Sequence, residues 1–355
     1  MRTEGRKPAP REERILGIIE TARAKRPRFK DERITMAHGA GGKATQTLIE
    51  GLLAPAFGLE ELTDAAVMDG VALTTDSFVV KPLRFPGGSI GELAVNGTVN
   101  DLAMAGARPL ALSLALILEE GLDAAVLRAE VDAIAAAAER AGVRVVAGDT
   151  KVVERGHADG MYVCTTGIGA RDPRATLSPG AVRPGDRILV SGSVGEHGTA
   201  IMLARGDLGL DADIVSDTRS LWPAVDAILG DGLRCLRDAT RGGVASVLNE
   251  IARAAGVGIV VREAEVPIAP AVAGAAELLG IDPMYVANEG KFVAFAAPEA
   301  ADAALAALRE VEGCERAAEI GEVRAEPPGM VVVETAFGGR RVMDQLVGDP
   351  LPRIC

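Results

Sequence analysis

"LDAAVLRAEVDAIAAAAERAGVRVVAGDTKVV", residues 122–153, is the stretch on which the fold turns. Its first part is rich in strong helix formers and stops at Gly142, the residue type that closes helices in a left-handed conformation. From Val143 the chain turns to β-branched residues, which predicts a strand. Working outward, the apolar run "LALSLALIL" (110–118) before the helix and "GMYVCTTGIG" (160–169) after it read as two more strands. Strands are also expected around Val71–Thr75 and Phe78–Lys81, and a helix near Ile90–Ala105. Strands and helices mix without strict alternation, so the fold class is α+β.

"RDPRATLSPGAVRPGD" (171–186) carries three prolines and little apolar periodicity, which places a first domain at 34–170 and a second at 171–335. The second opens with the strand "RILVSG" (187–192). Helices are expected near 198–205, 218–229, 243–255, 270–279 and 299–311, with strands near 233–237, 258–262, 291–296 and 330–334. Residues 1–33 form an extension in which "RILGIIETARA" (14–24) reads as a short amphipathic helix, and 336–355 form a tail.

The 355 residues are 48% hydrophobic and 25% charged, enough core for two domains. A formal net charge of −12 repels polyphosphate backbones and argues against nucleic acid as a partner. The run at 110–118 is about half of the roughly 18 apolar residues a membrane span requires. The polar start "MRTEGRKPAPREERILGIIE" lacks a signal-peptide pattern, so the expected compartment is the cytoplasm. Cys164, Cys235, Cys314 and Cys355 lie 71, 79 and 41 positions apart, with no close pair for zinc or redox chemistry. Cys164 and Cys235 sit in strand-like apolar runs that predict small buried hydrophobes; Cys355 lacks such a context.

Five acids stand at strand ends or in glycine-flanked turns: Asp69 in "MDGVAL", Asp76 in "TTDSF", Asp101 in "VNDLA", Asp149 in "AGDTK" and Asp238 in "RDATRGG". One alone reads as a turn or capping aspartate; the set suits magnesium. In "LAVNGTVNDLA" (93–103), Val95, Thr98, Val99 and Leu102 follow helical spacing and predict a buried stripe. Asn96, Gly97, Asn100 and Asp101 then share another face, which reads as a ligand surface.

"HGAGGKAT" (38–45) misses the Walker pattern at Ala37 and Ala44, yet Gly39, Gly41, Gly42 and Lys43 can offer amides and one cation to an anion. "DATRGGVASVLNEIA" (238–252) sets an acid, Thr240 and Arg241 before two glycines that open a helix. That arrangement binds phosphate through free amides, the dipole and a bidentate guanidinium. "VANEGKFVAF" (286–295) puts Glu289 in a turn where partial burial suits it to proton transfer. His38, His157 and His197 lack the paired spacing of a metal site.

Together, "HGAGGK", "TTDSFVVKPLRFPGGSIGELAVNGTVNDLAMAGA", "VAGDTKVVERG", "DATRGG", "ANEGK" and the final "PRIC" resemble segments of the hydrogenase maturation factor HypE family. That family lies in the PurM-like superfamily of aminoimidazole ribotide synthetase. The resemblance implies a two-domain PurM-like fold whose amino-terminal domains pair into a β-barrel in a homodimer, binding ATP and Mg²⁺ near the interface. It implies that Cys355 receives a carbamoyl group from the carbamoyltransferase HypF and that ATP dehydrates the S-carboxamide to a thiocyanate. The cyanide then passes to iron held by HypC and HypD, for nickel–iron hydrogenase.

Carried over residue by residue, the resemblance implies magnesium on Asp69, Asp76, Asp101, Asp149 and Asp238, and phosphate on Asn100, Lys151 and Arg241. Cys355, Glu289 and Lys151 are the catalytic candidates, with Glu289 as base. Met68-Asp69 stands where related enzymes have paired acids. The alternatives are a superfamily enzyme acting on a diffusible substrate and a non-catalytic thiol carrier. In "DPLPRIC", Pro350 and Pro352 stiffen a tail whose seven residues reach about 20 Å if extended at about 3.1 Å each. Its thiol is expected near the ordinary value of about 8.5, lowered by Arg353.

Overall fold

The computed structural model describes residues 28–59, 62–206, 212–348 and 355. The helix expected at 14–24, together with Pro350, Pro352 and Arg353, lies outside the described residues. Helices α1 (Lys43–Leu48) and α2 (Ala54–Phe57), joined by a π-helical turn, lead into the first sheet. Strands β1 (Ala66–Met68) and β2 (Val71–Phe78) form a hairpin; β3 (Arg84–Phe85) and β4 (Gly88–Ser89) form a second, separate one. β5 (Ala107–Glu119), β6 (Arg144–Val153) and β7 (Met161–Arg171) complete a five-stranded sheet of order β1-β2-β7-β5-β6. The two strands expected at 71–75 and 78–81 are one, β2, because the alternation of buried and exposed residues continues without a break to Phe78.

Two helices back one face of this sheet, α3 (Ile90–Met104) and α4 (Ala124–Arg140). α4 spans the deciding stretch: Asp123 caps it by accepting from the Ala125 amide at 2.8 Å, and Gly142 follows it at φ 67°. α3 is buried nearly all round, with the sheet, α4 and the second half of the chain on its sides. The polar face of α3 is therefore an interdomain surface and not an open ligand face. Asn96 donates to Thr218 Oγ1 at 3.2 Å, and Gly97 lies against the Phe78 ring.

The second sheet has the order β14-β13-β10-β12-β8-β11-β9. Its strands are β8 (Arg187–Val190), β9 (Leu233–Asp238), β10 (Gly258–Arg262), β11 (Phe292–Ala296), β12 (Ala318–Arg324), β13 (Val331–Glu334) and β14 (Arg340–Met343). Helices α5 (Glu196–Ala204), α6 (Trp222–Ile228), α7 (Gly243–Ala255), α8 (Pro270–Leu279) and α9 (Pro298–Arg309) surround it. β11 is buried on both faces, which is why it reads as an unbroken apolar run. Val293 and Phe295 pack with Val244 and Leu248 of α7, whereas Phe292 and Ala294 pack with Val225 of α6 and Leu308 of α9. Each large side chain so buried contributes about 1.5–3 kcal/mol. The helix expected at 218–229 starts only at Trp222; before it, 212–221 runs as an extended strap between α3 and the second sheet. Among the described residues no helix is long and apolar enough to cross a membrane.

The double glycine before α7 has a geometric cause. Gly243 adopts φ 61°, and a Cβ there would lie 2.5 Å from the Met284 carbonyl oxygen and 2.7 Å from that of Val286. Gly243→Ala is expected to cost roughly 2–4 kcal/mol, combining left-handed strain with backbone overlap, as a lower urea midpoint at unchanged slope.

Candidate active site

Asp64, Asp101 and Asp238 each offer a carboxylate oxygen within 4.8 Å of the others. Asp64 comes from the loop before β1, Asp101 from α3 and Asp238 from the end of β9, so both halves of the chain build the cluster. Thr74 Oγ1 of β2 donates to Asp101 Oδ2 at 2.7 Å. Arg237 Nε lies 3.2 Å from Asp64 Oδ1, while Asp64 Oδ2 is buried with no hydrogen-bond partner. Burial pushes the Asp64 carboxyl up to about 6 against the pull of Arg237. Burial, then the neighbouring carboxylates, raises Asp101 and Asp238 well above the usual range. Three crowded acids with an unpartnered buried oxygen fit a hard dication, which replaces their protons.

Asp76 faces the same pocket from β2, its carboxyl raised by burial and drawn down by Arg241. Glu289 is 4% exposed and raised well above the usual range, first by burial and then by Asp238, Asp76 and Asp217. Arg241 Nη1 donates to Gly39 O at 2.8 Å, and Ser246 Oγ donates to Gly41 O at 2.9 Å. The glycine loop is thereby laid along the start of α7, beside Thr240. Behind it, Lys43 N donates to Leu346 O at 3.0 Å, and Lys43 Nζ pairs with Asp344 at 2.7 Å.

Cys355 lies in this pocket. Its carbonyl accepts from the Val79 amide at 3.3 Å, and its side chain packs on the cluster containing Phe78, Ile90 and Leu93. Burial pushes the thiol up to about 12, against Arg241 and reinforced by Glu289, Asp76 and Asp238. The ordinary thiol value expected from the sequence is thus corrected, because desolvation outweighs the one guanidinium. A group raised in this way favours docking at pH below its ordinary free value, and that contribution is lost as pH rises through about 12. At neutral to mildly alkaline pH the docked thiol is therefore far less ionised than a free one. Iodoacetamide is therefore expected to alkylate Cys355 of the folded chain at least about a hundredfold more slowly than the urea-unfolded chain, read by peptide mass.

Other expected site residues lie elsewhere. Asp69 occupies the β1–β2 turn at φ 51°, exposed, and the acid that joins Asp101 and Asp238 is Asp64. Asn100 has both amide hydrogens committed, to Arg219 O at 3.0 Å and Glu289 O at 3.2 Å, so it has no donor left for phosphate. Asp149 and Lys151 pair with each other on exposed β6, where Lys151 first, and then the Thr150 amide, lower the Asp149 carboxyl. By register Asp149 shares a sheet face with Ala115, Cys164 and Ser77, whereas Asp76 shares the opposite face with Thr165 and Leu114. The chain's own sheet stands between these two groups. Cys235 is buried as expected; Cys164 is only partly buried, 3.1 Å from Ser77 Oγ.

Sequence reasoning missed Asp64, whose signal is only an acid before a short strand, and Asp217, which sits in an irregular segment.

Comparison with known proteins gives two matching family models. AIR synthase related protein, N-terminal domain, matches residues 62–170, and its C-terminal domain matches 183–334. The carbamoyl dehydratase HypE of Rhodobacter capsulatus is 51% identical over 338 residues, 92% of this chain and 99% of that protein. A crystal structure of a HypE–HypF complex superposes with a TM-score of 0.81 at 44% identity, covering 84% of this chain and 99% of that one. A HypE crystal structure in complex with ATP gives 0.78 at 44% identity, covering 91% and 100%.

Proposed function

Because the chain belongs to the HypE family of carbamoyl dehydratases, we propose that it uses ATP to dehydrate an S-carbamoyl group on its own Cys355 to a thiocyanate. The observation that carries this reading is the position of Cys355, inside the acidic pocket beside Arg241 and Glu289. The carboxamide oxygen attacks the γ-phosphorus and ADP leaves, with loss of one nitrogen proton. Loss of the second nitrogen proton expels phosphate with that oxygen and leaves the C≡N bond. Arg241 meets the phosphate charge. Glu289, raised by burial, is a stronger proton acceptor than an exposed glutamate and takes a nitrogen proton. Asp64, Asp101 and Asp238 would hold Mg²⁺, which when bound neutralises triphosphate charge.

HypF supplies the carbamoyl group, and the cyanide is delivered to an iron-carrying HypC–HypD complex; the same reading places the chain in the cytoplasm. A homodimer is part of the proposal. Met68, Val71, Leu73 and Ile168 are exposed on the outer face of the first sheet, which also carries Asp149 and Lys151. A second copy covering that face completes a barrel and makes Asp149 and Lys151 interface residues. The domain division at residue 170 follows the two sheets, whereas the second sheet continues past 335 to β14 (Arg340–Met343), so the expected tail boundary moves beyond that strand.

The test is the mass of the peptide ending at Cys355 after incubation with HypF, its carbamoyl donor, magnesium and ATP. Loss of one water from the carbamoyl adduct with ATP, and not with a non-hydrolysable analogue, supports the reading. An adduct that persists with ATP makes the chain a carrier, and an unmodified Cys355 points to a diffusible substrate.

A further inference from the structure

The peptide of Glu289 is held from both sides by side chains of other segments. Its N–H donates to Asp217 Oδ1 at 3.0 Å, and its C=O accepts from Asn100 Nδ2 at 3.2 Å. Asn100 belongs to α3 and is 2% exposed; its second amide hydrogen goes to Arg219 O at 3.0 Å, and its oxygen accepts from the Leu221 amide at 2.7 Å. Asp217 belongs to the strap, with its other oxygen on Lys291 Nζ at 3.1 Å. Lys291 also meets Glu196 at 3.3 Å, so the buried charges are paired. Next to Glu289, a Cβ on Gly290 would lie 1.8 Å from the Asp217 carbonyl oxygen, so strap and loop touch backbone to backbone. Arg219 Nε adds a bond to Gly290 O at 3.2 Å. No regular structure fixes residues 288–290, and these side chains take its place.

We propose that Asn100 and Asp217 are positioning residues for the dehydration, a clamp on the Glu289 peptide that ties the base in the second domain to the metal-bearing helix of the first. The inference rests on Glu289 being the base. The amide of Asn100 is spent on backbone groups. It acts through the Glu289 carbonyl and through the strap, so the base takes its place only when α3, the strap and the 288–290 loop are assembled. Removing the amide leaves two buried carbonyls and one buried N–H unsatisfied around Glu289, and the loop relaxes to satisfy them.

The experiment uses the full chain with carbamoylated Cys355 and follows thiocyanate formation in single turnover over a range of ATP concentrations. Asn100→Ala is expected to lower the maximal rate constant about a hundredfold, with half-saturating ATP changed by less than about twofold. In a Glu289→Gln background the same substitution is expected to change the rate by less than about twofold, since no base remains to be placed. Asp217→Asn keeps an oxygen for the Glu289 amide and is expected to retain about tenfold more activity than Asp217→Ala. Should Asn100→Ala not fold, Asn100→Ser, which keeps one donor and one acceptor, serves with a smaller loss. Equal fold-losses in both backgrounds overturn the clamp and leave Glu289 as the base. A Glu289→Gln chain as fast as wild type overturns the base assignment, and the clamp with it.

Discussion

Alanine at Cys355 is expected to abolish thiocyanate formation while leaving the nucleotide pocket able to bind ATP. The thiol is the atom that becomes carbamoylated, and no other cysteine among the described residues stands in its position: Cys235 and Cys314 are buried in the second domain and Cys164 lies on the outer face of the first sheet. The groups assigned to nucleotide and metal belong to α3, β2, β9 and the loop at 239–242, whose folding does not depend on the one side chain of Cys355 docked beside them. Peptide mass should show no carbamoyl adduct and no product. Calorimetric ATP affinity should stay within about threefold, or about 0.65 kcal/mol. A Cys355→Ala chain that still turns over ATP productively with a diffusible acceptor would overturn the self-modification reading.

Asp101→Asn and Asp238→Asn are expected to reduce ATP-dependent dehydration by about a thousandfold or more, the scale of losing electrostatic stabilisation in phosphoryl transfer. Stability should move the other way. Both carboxyls are raised in the fold, by burial first and then by neighbouring acids, so their ionisation opposes folding. The stability they carry is present below their unfolded values and is lost as pH rises through the folded ones. At pH 8 without magnesium, an amide that cannot ionise removes that penalty, and both variants should melt at higher temperature than wild type. A purely structural role would lower melting temperature and activity together. Magnesium binding to the wild type should release protons and weaken as pH falls through the raised ranges of the three carboxyls, that of Asp64 being pushed by burial to about 6.

Much of this was legible in the sequence wherever the signal is local. α4 announces itself through its helix formers and Gly142, β11 through an apolar run too short for a helix, and the start of α7 through two glycines whose backbone must bend left-handed. The sequence picks out Asp76, Asp101, Asp238, Arg241, Glu289 and Cys355, and the fold sets their charges close enough to act on one another. The exchange of Asp64 for Asp69 shows where such reading stops. Asp69-Gly70 is a two-residue hairpin turn, a local job that fully accounts for the residue types, whereas Asp64 is placed by how the loop before β1 crosses toward β9. Asn100 reads as a ligand residue in the sequence for a related reason. Helical periodicity assigns it a polar face, and only the packing of the second domain reveals that the face is covered. Asp149 and Lys151 read as part of one cluster in the sequence because alternation along β6 says nothing about which side of the sheet the other acids occupy.

α3 also settles a question of tolerance. Asp101 serves the carboxylate cluster and Asn100 holds the Glu289 carbonyl, two tasks assigned to adjacent residues of one helix. Adjacent helical residues are separated by about 1.5 Å of rise and about 100° of rotation. In a protein whose centre is assembled from two distinct sheets, small misalignments would normally add along the chain from one to the other. Here the reference points for both halves are cut into the same short rod, and the error between them is no larger than the stiffness of a single helical turn allows.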